Sequence, residues 1–229
     1  MKTLGLIGGT SWVSTLDYYR YINEGINRNT EGVDFARCYI YSFNHTDIVR
    51  YHKEQNIEGA MAELLTACRN LERSGAEGLI ICANTMHRFY DELVPQLSIP
   101  VIHIADATAE AIQAAGLKKV ALLGTIFTME MDFYKDRLRQ SGLTPLVPEV
   151  DHTNLNGIIY DELCKGIVRD ESRKVYQAAI DRMAARGAQA VILGCTEIGM
   201  LIDDSVSPLP TYDTTDLHAK ALVVAALAG

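Results

Sequence analysis

The sequence predicts an α/β protein with two pseudo-symmetric lobes, each a parallel sheet flanked by helices, duplicated within the chain. Three observations point to this fold class. Short apolar runs alternate with longer stretches of helical periodicity, each run ends at a glycine, a cysteine or a polar residue, and similar landmarks recur in both halves. At 229 residues, the chain has room for one large domain or two smaller lobes.

The elements follow one another in the βαβα order of a parallel sheet covered by helices. Strands are predicted for the apolar runs at residues 4–7, 38–43, 78–82, 100–104, 120–124, 190–194 and 209–213. Helices are predicted for the periodic stretches at residues 14–28, 58–73, 85–96, 106–116, 129–141 and 172–186. Ligands bind at the carboxyl ends of the strands in such sheets, so the residues that follow each strand are candidates for a site.

The two halves repeat the same landmarks in the same order. A shift of 115 positions superimposes two turns, Gly9-Thr10 and Gly124-Thr125. The segments SGAEGLIIC and RGAQAVILGC align Cys82 with Cys195 after one inserted residue. A shift of 110 positions then aligns a proline, an aspartate and an alanine: Pro100, Asp106 and Ala111 with Pro210, Asp216 and Ala221. Ordered landmarks with slowly drifting offsets indicate a duplication with small insertions and deletions.

The duplication predicts where the lobes begin and end. We expect residues 1–97 together with 209–229 to form the first lobe and residues 98–208 to form the second. Two similar lobes that face one another would bring equivalent strand ends to opposite walls of a cleft, which is where we expect the active site.

Composition and charge exclude several classes of protein. Hydrophobic residues make up 48% and charged residues 22% of the chain, as in ordinary globular proteins. The net charge of −8, with no block of like charge, argues against a nucleic-acid partner. The amino terminus lacks the apolar region of a signal peptide and no apolar stretch is long enough to cross a membrane, so we expect a cytoplasmic protein without a membrane partner.

The five cysteines form an odd set without CxxC spacing, which argues against a disulfide framework and a zinc site. Cys38, Cys68 and Cys164 are interpreted as small buried hydrophobic residues. Cys82 and Cys195 differ, because each directly follows a predicted strand at a predicted helix start, in the segments CANT and GCTE. A helix N-terminus lowers the pKa of a thiol from about 8.5 toward neutrality, so these thiols could act as bases.

Small polar residues surround both cysteines in the sequence. Asn84, Thr85 and Thr196, with their backbone N–H groups, are suited to hold a carboxylate at these predicted helix starts. Thr10, Ser11 and Thr125 occupy the turns after the first strand of each half. Helix capping is the alternative interpretation of all these side chains, and capping and ligand binding can coexist.

Two bases on opposite sides of a substrate suit one type of reaction. Moving a proton from one face of a planar carbanion to the other requires an acid and a base that exchange roles with the direction of the reaction. This is racemisation or epimerisation. No convincing lysine site for pyridoxal phosphate is present, so we expect no cofactor and no metal; His45, His152 and His218 lack the spacing of metal ligands, and His87 is expected to cap a helix or face solvent.

At these residues the sequence resembles the aspartate/glutamate racemase family, the cofactor-independent amino acid racemases, and most of all its broad-specificity bacterial branch. The resemblance covers essentially the whole chain: GLIGGTSWVSTLDYYR, GLIICANTMH, HIADAT, VALLGT, the GIIYDELCKG helix and AVILGCTEIG. It implies two pseudo-symmetric α/β lobes, with the last strand and helix returning to the first lobe, and a homodimer.

The resemblance also implies roles for individual residues. Cys82 and Cys195 would be the two catalytic acid/bases, the first serving the D enantiomer and the second the L enantiomer. The α-carboxylate and ammonium groups of a small amino acid would be held by Ala83, Asn84, Thr85, Thr196 and Glu197. The proline-containing segment that carries a substrate-binding arginine in related aspartate racemases is absent here, so Arg50, His52 and Lys165 are only candidates for binding a side-chain carboxylate.

The sequence alone is compatible with three functions. The first is an isomerase that interconverts the enantiomers of aspartate, glutamate or a similar small polar amino acid. The second is a maleate isomerase or a hydantoin racemase, which the same two cysteines would also serve. The third is a two-lobed amino acid binding protein without catalysis, in which both thiols are structural.

Overall fold

The computed structural model describes residues 1–30 and 32–228. The chain divides into two compact units, Met1–His103 with His218–Gly229, and Ile104–Leu217. Each unit contains a four-stranded parallel sheet, so the predicted α/β class with two parallel sheets is confirmed. No helix of the described residues combines the length and the apolar character needed to cross a membrane.

The sheet of the first unit has the strand order β2-β1-β3-β4. Its elements in chain order are β1 (Leu4–Gly8), α1 (Trp12–Thr30), β2 (Cys38–Ser42), α2 (His45–Lys53), α3 (Ile57–Arg73), β3 (Gly78–Ile81), a 3₁₀-helix (Thr85–Phe89), α4 (Tyr90–Leu93), a second 3₁₀-helix (Val94–Gln96) and β4 (Val101–Ile102). The central strand β1 is fully buried, while the edge strand β2 is half-exposed, as expected when helices cover both faces of a sheet.

The sheet of the second unit repeats the same order as β6-β5-β7-β8. Its elements are α5 (Ile104–Ala114), β5 (Lys119–Gly124), α6 (Ile126–Glu130), α7 (Asp132–Gln140), β6 (Thr144–Leu146), α8 (His152–Asp161), a 3₁₀-helix (Leu163–Lys165), α9 (Asp170–Ala185), β7 (Ala190–Gly194), a 3₁₀-helix (Thr196–Met200) and β8 (Thr211–Asp213), with α10 (Thr214–Leu227) continuing into the first unit. Pro145 lies in the edge strand β6, the position where a missing backbone N–H is tolerated.

The predicted boundaries of the lobes need a correction at both ends. The strand at 211–213, expected in the first lobe, pairs with β7 of the second sheet, and β4, expected in the second lobe, pairs with β3 of the first. The helix after each of these strands then joins the other unit: α5 packs on β5, and α10 packs on α1. The sequence does not specify which sheet an apolar helix covers, so the boundary was misplaced by one strand.

The register of the repeat also needs a correction of one residue. Gly8 and Gly124, not Gly9 and Gly124, are the last residues of equivalent strands. Tyr18 and Tyr134, 116 positions apart, are both fully buried. Gly9 therefore corresponds to Thr125 of the second unit, and its φ of 82° is one that glycine adopts without strain.

Candidate functional site

Cys82 is the residue that directly follows β3, at the carboxyl edge of the first sheet. Its backbone N–H donates to the carbonyl oxygen of Ile7 at 2.8 Å, and its carbonyl oxygen accepts a hydrogen bond from Oγ of Ser14 at 2.8 Å. These contacts hold the backbone of Cys82 between the central strand and helix α1. The side chain is fully buried and packs with Leu6 and Tyr18 among others.

The thiol of Cys82 is surrounded by apolar groups. Burial raises its pKa above the ordinary value, and the neighbouring Cys38 thiol adds to this rise. The prediction that a helix N-terminus lowers this pKa is wrong, because burial of the thiol outweighs any effect of the helical segment over 85–96, which begins as the 3₁₀-helix Thr85–Phe89. Cys82 is therefore a neutral thiol, which is the form that can donate a proton.

The segment after Cys82 is held by His87. Nδ1 of His87 lies 2.8 Å from the carbonyl oxygen of Ala83, an arrangement in which the ring N–H donates. His87 is 1% exposed, so the expectation of a capping or solvent-facing histidine is wrong. Asn84 is buried beside it and Thr85 begins the 3₁₀-helix. The predicted ligands after Cys82 thus lie on a backbone that a buried histidine fixes.

The three hydroxyl residues of the glycine turns separate into two groups. Thr125 caps α6, since its side chain accepts from the N–H of Thr128, and Ser11 accepts in the same way from the N–H of Ser14 at 3.4 Å. Oγ1 of Thr10, in contrast, is buried and has no hydrogen-bond partner within the described residues. Buried hydroxyls are seldom left unsatisfied, so Thr10 is the member of this group whose side chain fits a ligand contact best.

Cys195 is the residue that directly follows β7, at the carboxyl edge of the second sheet. Its Sγ donates to Oε2 of Glu197 at 3.1 Å, and Oγ1 of Thr196 donates to the same oxygen at 2.6 Å. Glu197 is 4% exposed, and its Oε1 is buried without a hydrogen-bond partner in the described parts of the chain. A thiol, a hydroxyl and a carboxylate therefore form one compact polar group.

The surroundings raise the pKa of the Cys195 thiol well above its ordinary value. Burial is the largest cause, the negative charge of Glu197 comes next, and Cys164 adds a further contribution. The pKa of Cys164 itself rises to about 12, again mainly through burial. The prediction of a lowered pKa is thus wrong here as well. Cys195 rests as a thiol whose proton already points at a carboxylate oxygen.

The candidates for binding a substrate side chain lie in different environments. Lys165 is 60% exposed, with Nζ 3.8 Å from a carboxylate oxygen of Asp161, and Arg50 is 53% exposed beside Asp47. His52 lies half-buried at the end of α2, with Nδ1 3.5 Å from Nη2 of Arg88. Arg88 was not predicted from the sequence, because 36 residues separate it from His52 and no spacing rule connects them.

A cluster of buried histidines in the first unit was also missed. The ring of His87 lies 4.7 Å from that of His103 and 5.3 Å from that of His218, measured between ring centroids. Tyr90 packs against His103 at 4.7 Å, and the hydroxyl of Tyr18 lies 2.8 Å from Nδ1 of His218. His218 contacts Tyr18 of α1 and His87 of the segment that follows Cys82. The cluster therefore links helix α1 to that segment.

Within the described residues, no group of three or more histidine, cysteine, aspartate or glutamate side chains could hold a metal ion. The carboxyl edges of the two sheets carry acid/base groups. One thiol lies in apolar surroundings, the other is hydrogen-bonded to a carboxylate, and hydroxyl, amide and backbone groups lie near each. These groups can donate, accept and relay protons.

Comparison with known proteins connects this chemistry to a family. The family model described as Asp/Glu/Hydantoin racemase matches residues 7–222. A Yersinia pestis protein assigned to the Asp/Glu racemases has a solved structure that is 40% identical, with a TM-score of 0.93, and the match covers 99% of this chain and 100% of that one. An aspartate racemase homologue from Pyrococcus horikoshii OT3 is 34% identical, with a TM-score of 0.86 and the same coverage. The broad specificity amino-acid racemase RacX of Bacillus subtilis is 27% identical over 161 residues, which are 69% of this chain and 68% of that protein.

Proposed function

Because the chain belongs to the Asp/Glu/Hydantoin racemase family, we propose that it interconverts the L and D enantiomers of aspartate, glutamate or a similar small polar amino acid without pyridoxal phosphate. Membership of the family confirms the prediction of an isomerase of the racemase class. It also sets aside the alternative of a binding protein without catalysis. The substrate and the two-thiol mechanism are the proposal.

One observation carries the mechanism: the two thiols occupy equivalent positions in the two sheets. Cys82 follows β3 and Cys195 follows β7, and each of these strands is the third in its sheet order. Cys38, Cys68 and Cys164 have no such equivalence. A duplicated thiol at a duplicated strand end supports a reaction that needs an acid and a base of the same kind.

In the proposed reaction, one cysteine as a thiolate removes the α-proton and the other as a thiol donates a proton to the opposite face of the carbanion. Both thiols are neutral at rest, so a thiolate must form when the substrate binds. The positive ammonium group of an amino acid favours the thiolate next to it. On the Cys195 side, Glu197 supplies an acceptor for the thiol proton at 3.1 Å.

The polar residues around the thiols would hold the common part of an amino acid. We propose that Thr10, Ser11, Asn84 and Thr85 with the backbone of Ala83 bind on the Cys82 side. Thr125, Thr196 and Glu197 would bind on the Cys195 side. The unpartnered Oγ1 of Thr10 and Oε1 of Glu197 support this assignment.

A cytoplasmic homodimer is part of the same proposal. Trp12, Leu16 and Tyr19 are 69%, 56% and 46% exposed and recur on one face of α1, which is an apolar stripe that a second copy would cover. Light scattering on the wild type should give twice the monomer mass of 25.3 kDa. Leu16→Glu should shift the protein toward the monomer, and a monomeric wild type would contradict the assignment.

The function is tested by incubating the purified protein with single enantiomers of aspartate, glutamate, asparagine and alanine in heavy water. We expect deuterium at Cα and loss of optical activity for at least one of them. Cys82→Ser and Cys195→Ser should each lower racemisation by about 10³-fold or more, because each removes one of the two acid/bases. Cys68→Ser replaces another buried thiol, on α3, and should retain activity.

Two outcomes would contradict the proposal. The first is a wild type that exchanges no α-proton with any amino acid but forms a covalent adduct of Cys82 with maleate, which indicates maleate chemistry instead. The second is full racemase activity in both serine variants, which would remove the thiols from the mechanism. Exchange of one enantiomer without inversion in a single serine variant would support two thiols with separate faces.

A further inference from the structure

Arg88 carries a half-buried positive charge that no acid neutralises. Four arginines of the described residues are partly buried, and three of them, Arg137, Arg173 and Arg186, have a carboxylate oxygen within 4.0 Å. Arg88 has none in the described chain. Its side chain contacts the ring of Phe89, at 4.5 Å from the centroid, and Nδ1 of His52 at 3.5 Å.

The guanidinium of Arg88 is also short of hydrogen bonds. Its Nε is buried and, in the part of the chain that the structure describes, has no hydrogen-bond partner. Burial lowers the pKa of Arg88, and the charge of Arg88 together with burial lowers the pKa of His52. His52 is therefore a neutral neighbour that adds no second positive charge, and a histidine cannot supply the negative charge that Arg88 lacks. A half-buried cation without an acidic partner is incompletely compensated, and an anion that binds from outside would supply the missing charge.

The position of Arg88 connects it with the proposed racemase site. It lies on the 3₁₀-helix that follows Cys82, while His52 comes from the segment after β2 and Thr10 from the turn after β1. Strands β2 and β3 pair with β1 in parallel, so the segments that follow the three strands all begin at the carboxyl edge of the first sheet. This is the edge at which such sheets bind ligands.

Resting on the function proposed above, we infer that Arg88, supported by His52, binds the side-chain carboxylate of an acidic amino acid and sets the preference for it. The planar guanidinium matches a carboxylate with two parallel hydrogen bonds, which neither a hydroxyl nor an amide provides. The other candidates are less suited. Arg50 and Lys165 are mostly exposed and already lie beside an aspartate of their own helix or turn.

The test compares Arg88→Met with Arg20→Met for L-aspartate and L-asparagine. Arg20 is a matched control because it also stacks on the next aromatic residue, Tyr21 at 4.8 Å, but is exposed and paired with Asp17. Arg88→Met should raise KM for aspartate about ten- to hundredfold with little change in kcat, since it removes a contact present in ground and transition states alike. Asparagine turnover should change less than about threefold, and Arg20→Met should resemble the wild type.

Two further measurements keep the inference falsifiable. Arg88→Lys keeps the positive charge but cannot donate two parallel hydrogen bonds to a carboxylate. Its affinity for aspartate should therefore lie between those of Arg88→Met and the wild type. Arg88→Met should melt at or above the temperature of the wild type, because it removes a half-buried charge without an acidic partner. An equal loss for aspartate and asparagine, or no loss for either, would overturn the inference while leaving the racemase proposal intact.

Calorimetric binding of L-aspartate and succinate separates the two proposals if the wild type exchanges no α-proton at all. Dicarboxylate binding that Arg88→Met weakens at least tenfold would support the arginine site even though the racemase proposal had failed. Absence of dicarboxylate binding, or binding that Arg88→Met leaves unchanged, would overturn the arginine site as well.

Discussion

The two cysteine loops have the same place in the same sheet order, yet their surroundings differ. The thiol of Cys82 lies among apolar side chains, and its loop is held through the backbone by Ser14 and Ile7. The thiol of Cys195 donates to a buried glutamate that also accepts from Thr196. A duplicated fold thus conserves where a reactive atom stands while allowing its electrostatic environment to diverge.

This difference assigns unequal tasks to two chemically equal thiols. Burial alone accounts for most of the raised pKa of Cys82, which therefore depends on the substrate to become a thiolate. Cys195 has an acceptor for its proton within hydrogen-bond distance before any substrate arrives. We therefore expect the activity to depend on the carboxylate of Glu197, through Cys195. The Cys82 loop has no counterpart of this residue.

The largest effect is expected from Glu197→Gln. The amide can still accept the hydrogen bond from Thr196 but is a far weaker acceptor for the thiol proton, so kcat should fall by about 10²- to 10³-fold. The loss in kcat/KM must be equal for both enantiomers, because their equilibrium constant is unity. Chiral chromatography of the progress curves from each enantiomer measures both parameters.

The controls for this prediction separate chemistry from packing. Glu197→Asp retains the carboxylate and should recover part of the activity, with a pH profile closer to that of the wild type. Glu72→Gln changes a glutamate at the amino edge of the first sheet, where it accepts from the N–H of Ser98. This variant should leave kcat unaffected. Wild-type kcat in Glu197→Gln would show that Cys195 needs no carboxylate and would end the contrast between the two loops.

The contrast also shows how far the sequence predicts this molecule. Cys82, Cys195 and the strands before them were predicted from an apolar run followed by a small polar segment, because burial and chain order are local properties. The direction of the pKa shift of both thiols was not predicted, since it depends on how deeply the folded chain buries each thiol and on which charged groups lie next to it.

Features that depend on distant pairing escaped prediction in the same way. Arg88 and His52, or Tyr18 and His218, meet only after the sheet has formed, and 36 and 200 residues separate them. Short elements were missed as well: α2 is a nine-residue polar helix and β6 is three residues with a proline, so neither carries a strong periodic signal.

The next largest effect concerns Gly9, in the turn after β1, where the second unit has Thr125. An alanine at Gly9 would need a φ of 82° and would place its Cβ 2.2 Å from the carbonyl oxygen of Phe43. We expect Gly9→Ala to lower the free energy of unfolding by about 3 kcal/mol, from strain and overpacking together. Urea unfolding followed by circular dichroism measures the change.

Gly75→Ala is the matched control for this position. Gly75 also has a positive φ, of 96°, but a Cβ added there meets nothing within 4 Å. It should therefore cost only about 1 kcal/mol, the conformational part of the penalty. Equal losses in the two variants would mean that the contact with Phe43 relaxes freely, and that the turn at Gly9 is not tightly packed.

The smallest effect distinguishes the two units by their response to acid. The hydroxyl of Tyr18 meets His218 in the first unit, and the hydroxyl of Tyr134 meets Thr108 in the second. Thr108 and His218 lie 110 positions apart, the offset that aligns the flanking prolines and aspartates. A histidine, which can bind a proton, thus stands where the other unit has a threonine, which cannot.

Burial, and then the charge of His87, hold the pKa of His218 well below its ordinary value, while the carbonyl of Ile102 opposes the shift. The unfolded chain therefore binds the proton first as the pH falls. The stability that depends on neutral His218 is fully present above about pH 6.5 and declines below it, by at most about 1.4 kcal/mol per pH unit. Amide hydrogen exchange in α1 and α10 at pH 7.5 and 5.5 should report this loss.

His218→Thr, which copies the second unit, should be less stable at pH 7.5 because it leaves a cavity, but its stability should depend less on pH. An unchanged pH dependence in that variant would assign the acid sensitivity to other groups of the first unit.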